Sequence, residues 1–103
     1  MNMVYIITNT VFSDNYGYDG TIVNIKQMKE FTKILFKNSS FIRNVSINNG
    51  GVLYSESDLT DVNVAFIDCI FEDNYSYEGL YIIKFFQIDF LIIKHLIIFI
   101  FLF

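Results

Sequence analysis

The sequence predicts an all-β fold, a parallel β-helix (solenoid) fragment of about three coils, with a hydrophobic C-terminal tail of uncertain structure. Three observations predict it. The pattern [Asn/Asp]-x-x-Phe-x-x-Asn occurs three times, its phenylalanines 29 and then 30 residues apart. An apolar stretch precedes each copy. Glycine and a second apolar stretch follow each copy five to seven residues later.

The copies, in order, are Asn9-Thr10-Val11-Phe12-Ser13-Asp14-Asn15, Asn38-Ser39-Ser40-Phe41-Ile42-Arg43-Asn44 and Asp68-Cys69-Ile70-Phe71-Glu72-Asp73-Asn74. The preceding apolar stretches are Val4 to Ile7, Ile34 to Phe36 and Val62 to Ile67. The glycine segments are Gly20-Thr21-Ile22-Val23, Gly50-Gly51-Val52-Leu53-Tyr54 and Gly79-Leu80-Tyr81-Ile82. Each unit reads as strand, turn, strand or short bridge, glycine turn, strand, which leaves room for three strands. The expected coils are about 4–31, 32–61 and 62–83, followed by a tail over 84–103. Stacked coils lie one strand spacing apart, so equivalent residues superpose. Phe12, Phe41 and Phe71 are then expected to stack inside. Asn15, Asn44 and Asn74 are expected to form a ladder at a bend, where asparagine tolerates left-handed backbone. A β-sandwich is the competing reading, but sandwich strands recur at shorter spacing without a thirty-residue register.

Composition narrows the function. The chain has 103 residues, 53% of them hydrophobic and 17% charged, with a net charge of −4. That is too apolar for a disordered chain, and too acidic for a phosphate-binding one, which needs clustered Lys and Arg. Ile, Phe, Asn, Tyr and Lys dominate, as in AT-rich coding sequence. One cysteine, Cys69, allows no intramolecular disulfide and decides little about compartment. Residues 1–9 show no basic segment and only a four-residue apolar run, so no signal peptide is visible there.

Phe41-Ile42-Arg43-Asn44 followed by Gly50-Gly51-Val52-Leu53 resembles the FxxN and GGA[ILV] signatures of polymorphic outer membrane protein repeats. Those repeats belong to the right-handed parallel β-helix, or pectin-lyase-like, superfamily, and similar coils occur in large protist surface proteins. The resemblance covers residues 4 to about 83. Only the middle coil has the double glycine; Gly20 and Gly79 stand alone in the others, followed by Thr21 and Leu80. What the resemblance implies is a β-helix fold with roles in adhesion and surface display.

Two stretches break the pattern. Asn24 to Phe36 also reads as a basic amphipathic helix, with Lys26, Lys29 and Lys33, and Lys37 just beyond, on one face. The repeat register instead puts Thr32 to Phe36 in a strand and makes the preceding residues a loop insertion. From residue 90 onward there is no Gly, Asn, Ser or Thr. Residues 85–103 have the length of a membrane span, but Gln87, Asp89, Lys94 and His95 offset the gain from fifteen apolar residues. The readings of 80–103 are a shifted or truncated gene end, which is favoured, a tail anchor in a membrane, and a buried final coil.

The sequence offers no catalytic, cofactor-binding or metal residues. Asp14 and Asp73 share a repeat position, but Arg43 fills it in the middle coil, so that column reads as a solvated face. Glu56, Asp58 and Asp61 lack EF-hand spacing. His95 lies in the apolar tail with no ligand partners. Cys69 has no basic neighbour and reads as a core residue. Asn38, Asn44 and Asn74 each begin an N-x-[ST] sequon, and only Asn38 is free of a ladder role. No cofactor is implied. The expected partners are neighbouring coils of a longer chain, and a carbohydrate or another surface protein. Nucleic acid is excluded, and a membrane contact through 80–103 is left open. The expected function is a non-catalytic structural or adhesive segment of a surface β-helix repeat protein. The alternatives are a fragment of a carbohydrate-active β-helix enzyme or a small tail-anchored membrane protein. Location at the cell surface or a membrane follows from that expectation alone.

Overall fold

The structure, a computed structural model, describes residues 3–29, 31–57, 63–77, 81–84, 89–91 and 95–98. It is an all-β arrangement with parallel strands in all four sheets. The strands are β1 (Met3–Thr8), β2 (Val11–Ser13), β3 (Tyr16–Gly17), β4 (Val23–Ile25), β5 (Thr32–Lys37), β6 (Ser40–Ile42) and β7 (Val45–Ser46). They continue with β8 (Leu53–Ser55), β9 (Val64–Ile67), β10 (Cys69–Glu72), β11 (Tyr75–Ser76), β12 (Tyr81–Lys84), β13 (Asp89–Leu91) and β14 (His95–Ile98).

The first twelve strands fall into four sheets, each built from every fourth strand: β1-β5-β9, β2-β6-β10, β3-β7-β11 and β4-β8-β12. All eight of these pairings are parallel. The chain therefore makes three passes through the same four strand directions. Each pass holds four strands where the sequence suggested three. The motif itself is turn, strand and turn, with its phenylalanine at the centre of β2 or β6. The extra strand is the two-residue bridge after the asparagine, too short to show an alternation.

Register puts like on like. Phe12 pairs with Phe41 and Phe41 with Phe71. The Phe12 and Phe41 rings are stacked nearly parallel with centroids 5.1 Å apart, and those of Phe41 and Phe71 likewise at 4.8 Å. The spacing is that of neighbouring strands, so backbone hydrogen bonding sets the stacking distance. A second stack, not foreseen, joins Phe36 to Phe66 at 5.0 Å, with Ile7 in the same column of the first pass. The stacks meet edge to face, Phe36–Phe41 at 5.4 Å and Phe66–Phe71 at 5.2 Å. Val52, Leu53, Val64 and Cys69 complete this core, all fully buried. In β5, Ile34 and Phe36 face the core, while Lys33 and Lys37 alternate outward. That favours the strand reading of 32–36 over the helix. Residues 26–29 form an irregular connection closed by Thr32 N–H donating to the Lys29 carbonyl, at 3.0 Å.

The bends correct one expectation. Asn15, Asn44 and Asn74 are not the left-handed residues. Those are Asp14, Arg43 and Asp73, one position earlier, and Asn9, Asn38 and Asp68 at the motif start, with φ between 51° and 58°. The ladder asparagines must aim their amides along the stack, so the bend falls on the residue before. Asn and Asp accept this conformation readily, and Arg43 is the exception. Gly20 (φ 66°) and Gly50 (φ 67°), which open the first two glycine segments, are left-handed as well, and Gly79 lies outside the described residues. Gly51 answers to crowding: a Cβ there would lie 3.0 Å from the Tyr75 backbone nitrogen and oxygen.

The tail behaves differently. β12 continues the parallel register, Ile83 opposite Leu53. β13 then pairs antiparallel with β12, and β14 antiparallel with β10. The rest of 84–103 lies outside the described residues, as do most residues of the membrane-span reading. Among the described residues no helix is long and apolar enough to cross a membrane.

Candidate functional site

The third sheet carries the most distinctive surface. Its strands β3, β7 and β11 follow the ladder asparagines directly. Alternation turns Ser46 and Ser76 inward, where both are fully buried, and turns the residues on either side outward. One outward column is Tyr16, Val45 and Tyr75, in register. The next is Tyr18, Ile47 and Tyr77, whose alignment continues through Ile47 N–H to the Gly17 carbonyl (2.8 Å) and Tyr77 N–H to the Ser46 carbonyl (3.1 Å). Tyr16, Tyr18 and Tyr77 are 70%, 65% and 62% exposed. Tyr75 and Tyr77 meet edge to face at 4.9 Å. Four tyrosines with two aliphatic side chains make a solvent-facing amphipathic patch, the kind of surface enriched at interfaces.

Its rim is charged. Arg43 grips Asp14 in the preceding pass with two hydrogen bonds, Nε to Oδ1 at 2.7 Å and Nη2 to Oδ2 at 3.0 Å. The Arg43 hydrogen bond holds the Asp14 carboxyl below its ordinary range. Asp14 in turn, followed by Asp73 and Glu72, raises Arg43. The solvated column of Asp14, Arg43 and Asp73 read from the sequence is therefore an exposed ion pair with further acids beside it.

The asparagine ladder positions this sheet. Asn44 Oδ1 accepts from Asn15 N–H (3.1 Å) and Asn15 Nδ2 (2.9 Å). Asn74 Oδ1 accepts from Asn44 N–H (3.0 Å) and Asn44 Nδ2 (2.9 Å). The amides also donate backward, Asn44 Nδ2 to the Phe12 carbonyl at 3.0 Å and Asn74 Nδ2 to the Phe41 carbonyl at 2.8 Å. Asn44 and Asn74 are buried, which places both sequons out of reach of a glycosyl donor in the folded chain, while Asn38 is exposed.

The other residues singled out in the sequence stay apart from this face. Glu56 pairs with Lys26 at 3.0 Å, and Asp58 and Asp61 lie outside the described residues. Cys69 is buried, its Sγ 3.4 Å from the Phe36 and Ile67 carbonyls, and burial pushes its thiol up. His95 lies on β14, opposite Glu72. Among the described residues no group of three or more His, Cys, Asp and Glu could hold a metal. The tyrosine columns were missed by sequence reasoning, though a signal exists. Asn15-Tyr16-Gly17-Tyr18 and Asn74-Tyr75-Ser76-Tyr77 repeat the same spacing after the ladder asparagine.

No family model, no curated protein and no solved structure matches this chain.

Proposed function

We propose that the chain is a non-catalytic structural or adhesive segment of a surface-displayed parallel β-helix protein, of the polymorphic outer membrane protein repeat type. One observation carries the reading: the columns Phe12–Phe41–Phe71 and Asn15–Asn44–Asn74 run unbroken through all three passes. Such columns suit a rod that holds its outer faces at fixed spacing. The tyrosine face supports the adhesive part of the reading, because its side chains are rigid, amphipathic and aimed at solvent.

The test has two parts. An antibody against the chain should stain intact cells of the source organism, and mild protease shaving should remove that stain. Beads coated with the purified chain should adhere to a target cell layer, and Tyr16→Ser with Tyr77→Ser should reduce adhesion while leaving the β-sheet circular dichroism unchanged. Staining that appears only after permeabilisation overturns surface display. Adhesion indifferent to the tyrosine changes overturns this face as the contact.

A further inference from the structure

Charge is segregated around the stack. The described lysines lie on the first and fourth sheets or between them: Lys33 and Lys37 on β5, Lys84 on β12, and Lys26 and Lys29 in the connection after β4. Among the described residues none lies on the third sheet. The corner where that sheet begins is acidic instead. Asp14 and Arg43 hold each other there with two hydrogen bonds. Asp73 and Glu72 act on the same guanidinium. Three carboxylates therefore surround one cation, and that cation is already gripped.

The tyrosine columns begin directly beside this corner. Outward residues along a strand are two positions apart, about 6.6 Å. The outward series is Asp14, Tyr16 and Tyr18 in the first pass, Arg43, Val45 and Ile47 in the second, and Asp73, Tyr75 and Tyr77 in the third. Across the face the order is thus charge, then two aromatic or aliphatic steps. Val45 and Ile47 are the smaller side chains and lie between the tyrosines of the flanking passes. This face is a side of the stack and not an end. A strand added beyond β3 or β11 would lie in the plane of the sheet, lengthening the columns without covering them.

We infer that the tyrosine face docks an extended, lysine- or arginine-bearing peptide segment of another protein. The inference rests on the adhesive reading of this face and names the chemistry of what it holds. Charge makes the first selection. The carboxylate excess at the corner, on a chain of net charge −4, draws cations, gives a neutral ligand nothing and repels nucleic acid. The aromatic rings make the second, since a tyrosine face attracts an ammonium or guanidinium placed over it. The order of the columns makes the third. A long cationic side chain lays its methylene stem across Val45 and Ile47, between tyrosines, while its charged head reaches Asp73 and Glu72. Alternate side chains of an extended peptide repeat at about 6.6 Å, the same step as Tyr16 to Tyr18 and Tyr75 to Tyr77.

The experiment is fluorescence anisotropy of the full chain with short labelled peptides that alternate serine with lysine, glutamine or glutamate. The lysine peptide should bind, more weakly as salt is added, and the other two should not match it. Tyr16→Ser with Tyr77→Ser removes two exposed cation–π contacts and should raise the dissociation constant roughly five- to thirtyfold. Asp73→Asn keeps a residue suited to the left-handed backbone there and should raise it about threefold. Glu56→Gln makes the same change of net charge beside Lys26, away from this face, and should leave binding unchanged. Circular dichroism matching the unaltered chain certifies that each variant folds. A lysine peptide bound no more tightly than the glutamine peptide, equal losses from Asp73→Asn and Glu56→Gln, indifference to the tyrosine pair, or a preference for maltohexaose each overturns the inference. Cell adhesion that needs the tyrosines while the lysine peptide fails to bind overturns the inference and spares the adhesive reading. A lysine peptide held by this face while adhesion ignores the tyrosines supports the inference and overturns that reading.

Discussion

Truncating Phe41 tests the packing directly. The side chain is fully buried, with Phe12 on one face at 5.1 Å and Phe71 on the other at 4.8 Å. Phe36 and Phe66 meet it edge to face at 5.4 Å and 5.7 Å. Removing a buried phenylalanine costs about 3–5 kcal/mol, and the range reflects how far a site can collapse. Here collapse is restricted, because the passes are held apart by backbone hydrogen bonds that the substitution leaves in place. Two face-on and two edge-on ring contacts are also lost. The expected cost of Phe41→Ala is therefore at the top of the range, about 4–5 kcal/mol. Phe12, in the first pass, is half-buried with Phe41 stacked on one face, so Phe12→Ala should cost about 2 kcal/mol. Equilibrium unfolding in urea with linear extrapolation measures both. Total stability of a small domain is only about 5–15 kcal/mol. Phe41→Leu, expected to cost about 1–2 kcal/mol, keeps the comparison measurable if the alanine variant unfolds. A Phe41→Ala cost below about 1 kcal/mol, or one no larger than that of Phe12→Ala, refutes the reasoning.

Asn44→Ala removes the acceptor of two Asn15 donors and leaves the Phe12 carbonyl without its amide, so urea unfolding should show a loss of about 2–4 kcal/mol. Cys69 should resist thiol reagents in the native chain and react fully in denaturant, since it is buried and its thiol is pushed up; rapid labelling of native chain argues against its place in the core. The Asp14–Arg43 pair gives a pH signature. Asp14 has its carboxyl lowered in the folded chain from an ordinary 3.8, so the pair's contribution is present above that value and is lost as pH falls below it. The unfolding difference between wild type and Asp14→Asn should thus shrink in acid and be constant near neutrality, where the pair is exposed and weak.

The architecture was legible where the sequence repeats residue types at fixed spacing. Phe12, Phe41 and Phe71 differ by 29 and 30 positions, and that separation alone gives the strand register. The glycine turns were legible at Gly20 and Gly50 because each follows its ladder asparagine at nearly the same distance, five and six residues on. The Phe36–Phe66 stack was not, because Ile7 stands in the first pass and the apolar runs conceal which residue aligns. The left-handed positions were displaced by one, since the asparagines' own amides are committed to the ladder and cannot also make the bend. The tyrosine face was missed because Val45 and Ile47 interrupt it, though both keep an apolar side chain outward. The tail's reversal into β13 and β14 was hidden for another reason. Its run of Phe, Ile and Leu has no period, and open strand edges elsewhere in the fold determine where it pairs.

The sheet order has a consequence for how the chain folds. Every parallel strand pair joins residues 29 or 30 positions apart, and no strand of the first pass is hydrogen-bonded to one of the third. Within the parallel sheets, local contacts of the kind that form early in helical proteins have no counterpart, so the first productive step there closes a loop of a full pass before any parallel pair is rewarded. Residues 32–57 are the partner of both other passes, and any nucleus must contain them. Once two passes are zipped, the third adds to a finished template at the same entropic cost as the first closure but with a row of bonding groups already fixed in place. Folding should accordingly be slow to begin and directional once begun, spreading outward from the middle of the chain.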